Sequence, residues 1–314
     1  MIFPVASPHA QSSRRYGWLP FLIVLVTILA VGIGAVLLRY VERRLVWASG
    51  EQLTLAAAEV SDKLDRLLFE RYGDIHMMAR AFAIRSSDRA YLESYLAWMK
   101  TAYAPMYHWL GVTNSQGVVI ASTEPALVGK DFNESEWFRG AHEIRRVVVG
   151  DVGSHEADQG VETVAFTVPI LDAEGTFLGV ITARVAVPVL EEVTTRTIRS
   201  LQRHEGFAGA VEYQMLTRSG EVFVDSDLRL RGKLNLLQMG LPSAKLSQQT
   251  EDPGYVIEEH LRRHVQVVTG YAVTKGYGEF PGLGWTVLVR IDRDAILGPI
   301  RSVVLWKVGG AALV

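Results

Sequence analysis

The chain has 314 residues, with 32 lysines and arginines against 34 aspartates and glutamates, and no cysteine. That near-neutral balance provides no basic field for phosphates, so nucleic acid is not an expected partner. Without cysteine there are no disulfides and no thiolate chemistry, and the length allows one large domain or two ordinary ones.

The first element is the uncharged run from Trp18 to Leu38, behind an N-terminal tail of residues 1–17. At ~1.5 Å of rise per residue, such a helix spans the ~30 Å hydrocarbon layer of a bilayer. Arg14 and Arg15 flank one end, and Arg39, Arg43 and Arg44 the other; Trp18 and Tyr40 suit the two interfaces. A cleavable signal peptide carries a shorter apolar core, about 7–15 residues, so the run reads as a retained membrane anchor. The basic flanks are nearly balanced, and charge alone does not orient it.

Over residues 39–104, Leu53, Ala57, Val60, Leu64, Leu68, Tyr72, Ile75, Ala79 and Phe82 recur at three- and four-residue steps. No proline lies between Val41 and Ala104, so the anchor helix is expected to continue as a stalk able to pair with a second copy. Ser86 and Ser87 offer an N-cap for a shorter helix ending near Ala104.

From Tyr107 the period changes to two. Residues 105–188 predict two strand hairpins, turning at Asn114–Gly117 and at Asp172–Gly175, with a loop and short helix between them. Residues 189–204 read as a connecting helix, and 205–296 repeat the strand–turn–strand layout. The expected fold class is therefore α+β: a transmembrane helix, a long stalk, and two antiparallel-sheet modules with helices on one side. The apolar run at 300–314 stops too short to span a bilayer and reads as the start of a second membrane helix, cut by a fragment boundary or a truncation.

This order of elements resembles the double-Cache sensor family of bacterial receptors, whose modules are PAS-like. Three segments carry the resemblance: GKDFNESEWF with its Trp137-Phe138 pair, VPILDAEGTFLGVITARV, and GYAVTKGYGEFPGLGWTVLVRID. It implies a sensor domain outside the cell membrane, with the N-terminus in the cytoplasm and a small molecule bound in the membrane-distal module. It also implies a cytoplasmic output domain, a histidine kinase first, otherwise a diguanylate cyclase or chemotaxis domain. A subfamily that binds amino acids carries an arginine two positions before the tryptophan and an aspartate on the last strand of the distal module. Here Ser135 and Arg184 stand at those positions, so an ordinary amino-acid ligand is not expected.

Strand alternation assigns the faces without the family. Val164, Phe166 and Val168 share an apolar face with Ile181, Ala183, Val185 and Val187, suited to packing on the stalk. Thr163, Thr167, Thr182 and Arg184 share the other with Trp109 and Thr113. With Trp137 and Phe138 above it, that mixed face fits a pocket for a small organic ligand, with Arg184 favouring a carboxylate or other oxyanion. Arg184 could equally form a structural pair with Asp151 or a neighbouring glutamate, and Asp151 could hold a ligand cation or cap a turn.

His260 and His264 lie beside Glu258 and Glu259, but their order fits no metalloprotease pattern, and the segment reads as a hairpin with solvated charges. No phosphate loop or nucleophile elbow is present. The expectation is a non-enzymatic sensor without metal or cofactor, anchored in the membrane and dimerising through its stalk. A membrane-anchored adaptor that binds a protein partner is the alternative.

Overall fold

The computed structural model describes residues 18–84, 88–153, 160–205, 211–226, 234–250 and 252–311. The predicted tail and the Ser86-Ser87 cap lie outside them. The chain divides into two compact units, one ending at Trp47 and the other beginning at Ala48, and helix α1, Leu19–Ile84, contributes to both.

In the N-terminal unit the helix exposes its apolar side chains on all sides, with Phe21 73% and Val31 67% exposed. Water does not stabilise such a surface, whereas lipid does. Among the described residues this is the one helix long and apolar enough to cross a membrane.

In the second unit α1 is amphipathic. Leu53, Ala57, Val60, Leu64, Leu68, Ile75, Ala79 and Phe82 are all buried, as their spacing requires. Helix α2, Arg89–Ala102, begins at Asp88, whose carboxylate accepts from the Tyr91 N–H at 3.0 Å. The observed cap is thus Asp88, where the sequence offers the serines before it. A carboxylate at this position also complements the positive end of the helix dipole.

The first sheet contains β1 (Tyr107–Thr113), β2 (Val119–Ser122), β3 (Val148–Val149), β4 (Thr163–Leu171) and β5 (Phe177–Ala186), in the order β2-β1-β5-β4-β3. Helix α3, Glu136–Ile144, lies on β3, β4 and β5. The side chains of Asn114 and Asp172 build the hairpin turns, each accepting backbone N–H groups two and four residues ahead. Helix α4, Val187–Glu205, leads to the second sheet: β6 (Glu212–Leu216), β7 (Val222–Asp225), β8 (Gly254–Glu259), β9 (Gln266–Val273) and β10 (Thr286–Asp292). Its order, β7-β6-β10-β9-β8, reproduces the first, and helix α5 (Pro242–Gln249) covers β8, β9 and β10 as α3 covers its counterparts. The sequence reading lacked both α5 and β3. Helix α6, Arg293–Ala311, follows β10.

Register confirms the two faces of the first sheet: Val164, Phe166 and Val168 stand opposite Val185, Ala183 and Ile181, while Arg184 stands between Trp109 and Ala165. The loop before β10 joins both sheets to α1. Phe280 lies between Tyr72 and Phe166, with ring centroids 6.0 Å and 6.5 Å away, and Asp65 accepts the Lys275 N–H at 2.8 Å. At the first sheet, Asp74 pairs with the nearly buried Arg71 at 3.2 Å and accepts the Tyr107 hydroxyl at 2.9 Å.

The solvated-charge reading of the β8–β9 hairpin is corrected. Glu258 is buried and accepts both the N–H and the hydroxyl of Ser243 at 2.8 Å. His260 is also buried, with Nε2 3.1 Å from a Glu212 oxygen, while His264 is exposed and pairs with Glu259. These carboxylates serve the start of α5 and the hairpin, and no group of candidate metal ligands occurs among the described residues.

Burial, helped by Arg290 and Arg263 and opposed by Glu212, holds the His260 imidazole below its ordinary value. A group with a depressed folded pKa contributes stability that is present above the unfolded value, ~6.5, and lost as pH falls through the folded one. The thermal midpoint should therefore drop more steeply from about pH 7 to about pH 5 in the native chain than in His260→Gln; parallel slopes would refute this. A second prediction concerns Gly270 on β9, where an added Cβ would lie 2.3 Å from the Leu53 carbonyl carbon on α1. Gly270→Ala should cost about 1–3 kcal/mol through overpacking, a fall of several degrees in Tm by calorimetry or circular dichroism.

Candidate functional site

A cavity of about 720 Å³ opens beneath the start of α3, lined by Phe132, Trp137, Val148, Asp151, Ala165 and Arg184 together with neighbouring loop residues. Arg184 reaches it because β5 is the central strand and its odd and even positions face opposite ways. The small Ala165 directly opposite leaves room beside the guanidinium. Arg184 is 0% exposed, and its guanidinium carbon lies 5.7 Å from the Trp109 ring and 5.5 Å from the Trp137 ring. Those indoles meet edge to face at 6.3 Å, and Trp109 donates to the Ser122 hydroxyl at 2.9 Å, which fixes its tilt. Both rings thus lie within cation–π range of the guanidinium.

Three carboxylates face the same cavity, those of Glu134, Glu136 and Asp151. Glu134 is exposed and near Arg139, at 3.8 Å. Asp151 is held more firmly: one oxygen accepts the Val152 N–H at 2.7 Å and the Trp285 indole N–H at 2.6 Å. Trp285 belongs to the other module and lies immediately before β10, packed on Phe223 at 4.8 Å.

The structure thus brings Trp137, Asp151 and Arg184 to one cavity and places Trp109 against the guanidinium. Phe138 stands behind the wall, in an apolar cluster with Phe177, Ala141 and Val180. Thr167 and Thr182 are buried against each other, hydroxyl to hydroxyl at 3.0 Å, and Thr163 is buried at the bridge to Gly153; none of the three lines the cavity. Phe132, Val148, Ala165, Glu134 and Glu136 escaped the sequence reading. Only Ala165 left a readable signal, a small residue between two threonines on the arginine face.

Two sheets of one strand order, each covered by a single helix and both resting on α1, with a lined cavity in the first, define a tandem PAS-like sensor fold. The chain belongs to the Cache-domain family, whose model matches residues 42–300. Solved structures agree at the level of fold. The sensory domain of the Campylobacter jejuni chemoreceptor Tlp3 (CcmL) superposes with a TM-score of 0.61 at 9% identity, over 82% of this chain and 99% of its own. The ligand-binding domain of the Pseudomonas aeruginosa PAO1 amino-acid chemoreceptor PctC in complex with GABA gives 0.56 at 15% identity, over 78% and 100%. An extracellular ligand-binding receptor from Desulfohalobium retbaense DSM5692 gives 0.54 at 13% identity; it matches 76% of this chain, which spans 40% of that receptor's length. No curated protein sequence gives a significant match.

The Asp151–Trp285 bond is the site's tie to the second module. Asp151→Ala strands a buried indole N–H, and Trp285→Phe removes the donor; each should lower Tm by several degrees, with a loss of about 1–3 kcal/mol. The two losses should be strongly non-additive in a double-mutant cycle, and simple additivity would show that the bond carries no energy.

Proposed function

We propose that the chain is the extracytoplasmic sensor of a transmembrane receptor and that the cavity beneath α3 binds a small organic ligand through its carboxylate. The observation that carries this reading is Arg184, a fully buried guanidinium at the wall of an accessible cavity. A planar fork of donors in such a place matches a carboxylate. Asp151, Glu134 and Glu136 across the same space favour a ligand whose other end is an ammonium or another donor, hence a zwitterion or an amine-bearing acid. Family membership and the resemblance to ligand-binding domains of chemoreceptors support the reading.

The chain performs no catalysis of its own on this proposal. Its N-terminus lies in the cytoplasm, α6 begins a second membrane helix, and α1 pairs with a second copy. Ligand closure biases α1 and α6 and so a cytoplasmic output domain, a histidine kinase first, otherwise a diguanylate cyclase or chemotaxis domain.

The test uses the full chain in detergent, screened by thermal shift against amino acids, ω-amino acids, organic acids and amines, since a ligand that prefers the folded state raises Tm. Arg184→Ala should weaken the hit about 10- to 100-fold, the worth of a charge-assisted hydrogen bond. Ala165→Leu, which fills the space beside the guanidinium and leaves its charge in place, should abolish binding. Unchanged affinity in both variants overturns the assignment, and stabilisation by a protein partner alone would replace it with the adaptor role.

A further inference from the structure

A second cavity, of about 540 Å³, lies between α1, the end of α3 and the β4–β5 turn, and shares no lining residue with the first. His76 and Arg80 enter it from one face of α1, Arg145 and Arg146 from the chain leaving α3, and Asp172 from the turn. Three arginines, a histidine and one aspartate therefore line a single cavity. That carboxylate is already engaged: one oxygen of Asp172 accepts the N–H groups of Glu174 at 3.1 Å and Thr176 at 2.7 Å. Among the described residues, none of Arg80, Arg145 and Arg146 forms an ion pair.

Two members of the cluster, Arg145 and His76, are held in place. Arg145 ends α3 in the left-handed conformation, φ 53°, with its N–H on the Ala141 carbonyl. The reversal carries its side chain to the turn, where Nη1 donates to the Gly175 carbonyl at 2.8 Å. His76 is fixed edge to face against Tyr72 at 5.1 Å. Like charges gathered in a concave site repel one another, and an anion with several oxygens relieves that repulsion while matching the planar forks.

We infer that this cavity binds a small multivalent oxyanion, a phosphate or a di- or tricarboxylate, bridging α1 to the hairpin of the first module. The site is separate from the proposed ligand cavity and independent of that reading. Binding there should also be proton-linked. Burial and Arg80 hold the His76 imidazole below its ordinary value, with Glu279 opposing; Tyr72 shares its helix, and Arg145, Arg146 and Asp172 line the same cavity. A bound anion favours the imidazolium, so binding should be accompanied by proton uptake at His76.

Isothermal titration of the full chain in detergent with inorganic phosphate, and in parallel with citrate, tests this. At least one should bind saturably with millimolar or better affinity, with proton uptake seen as a dependence of the measured heat on the buffer's ionisation enthalpy. The double variant Arg80→Gln, Arg146→Gln should weaken binding about 100-fold, roughly tenfold per charge-assisted contact, with the circular dichroism spectrum unchanged because both side chains are exposed. Arg184→Ala should leave it as it is. Absence of saturable binding by either anion, equal affinity in the double variant, or loss in Arg184→Ala would each overturn the inference.

Discussion

Both sheets depend on one helix face. The apolar stripe from Leu53 to Phe82 on α1 is buried throughout, and a single five-stranded sheet covered by one short helix leaves its other face needing just such a partner. Because that stripe is shared, the modules are not independent bodies. Gly270 lets α1 approach the second sheet at backbone distance, while Asp74 and Tyr107 fix the first. The loop carrying Lys275, Tyr277 and Phe280 belongs to the second module in sequence, yet packs on α1 and reaches Phe166 of the first. A displacement of the helix therefore disturbs both cores, which is the mechanical property a signalling stalk requires.

The repeated strand order poses the same problem twice, since each central strand carries a buried arginine at an equivalent place. Arg184 stands between Trp109 and Ala165; Arg290 stands between Glu212 and Thr269. In the second module the polar partners come from the chain itself. Arg290 donates to Gln214, which in turn donates to Asp225 at 3.1 Å, and Glu258 closes the group from β8. In the first, an indole and a methyl group occupy the flanking positions and the arginine lines a cavity. One duplicated architecture thus yields a self-neutralised core and a cavity, and the difference rests on which residues flank one arginine.

Much of this was legible in the chain. The step of α1 named its buried face, alternation separated the apolar and arginine faces of the first sheet, and Asn114 and Asp172 marked their turns. What escaped depended on contacts distant in sequence. The two-residue β3 has no period of its own and exists because β4 offers an open edge. Helix α5, beginning at Pro242 with polar residues on its outer side, carries too short an apolar pattern to announce itself. Glu258 and His260 look solvated in a segment rich in charge, and only the fold supplies Ser243 and Glu212 to bury them. At the site, Arg184 was readable from its strand, whereas the Trp285 partner of Asp151 comes from the other module, 134 residues away.

The departure from the amino-acid-binding pattern changes its meaning once the cavity is seen. Arginine stands at position 184 in place of the strand aspartate, which in sequence argues against a ligand amino group. In space the charges have exchanged places: the cation lies on the sheet, and the carboxylates lie just before α3, in its first turn and in the loop that follows β3. A ligand with one acidic and one basic end fits such an arrangement as well as the reverse one, turned end for end. On the proposed reading its basic end meets Asp151, whose other commitment is the indole N–H of Trp285 just ahead of β10 and α6. An ammonium drawing on that carboxylate weakens its hold on the indole. Ligand recognition and the strand leading to α6 would then share a single acceptor, which gives the exchange of charges a functional reason.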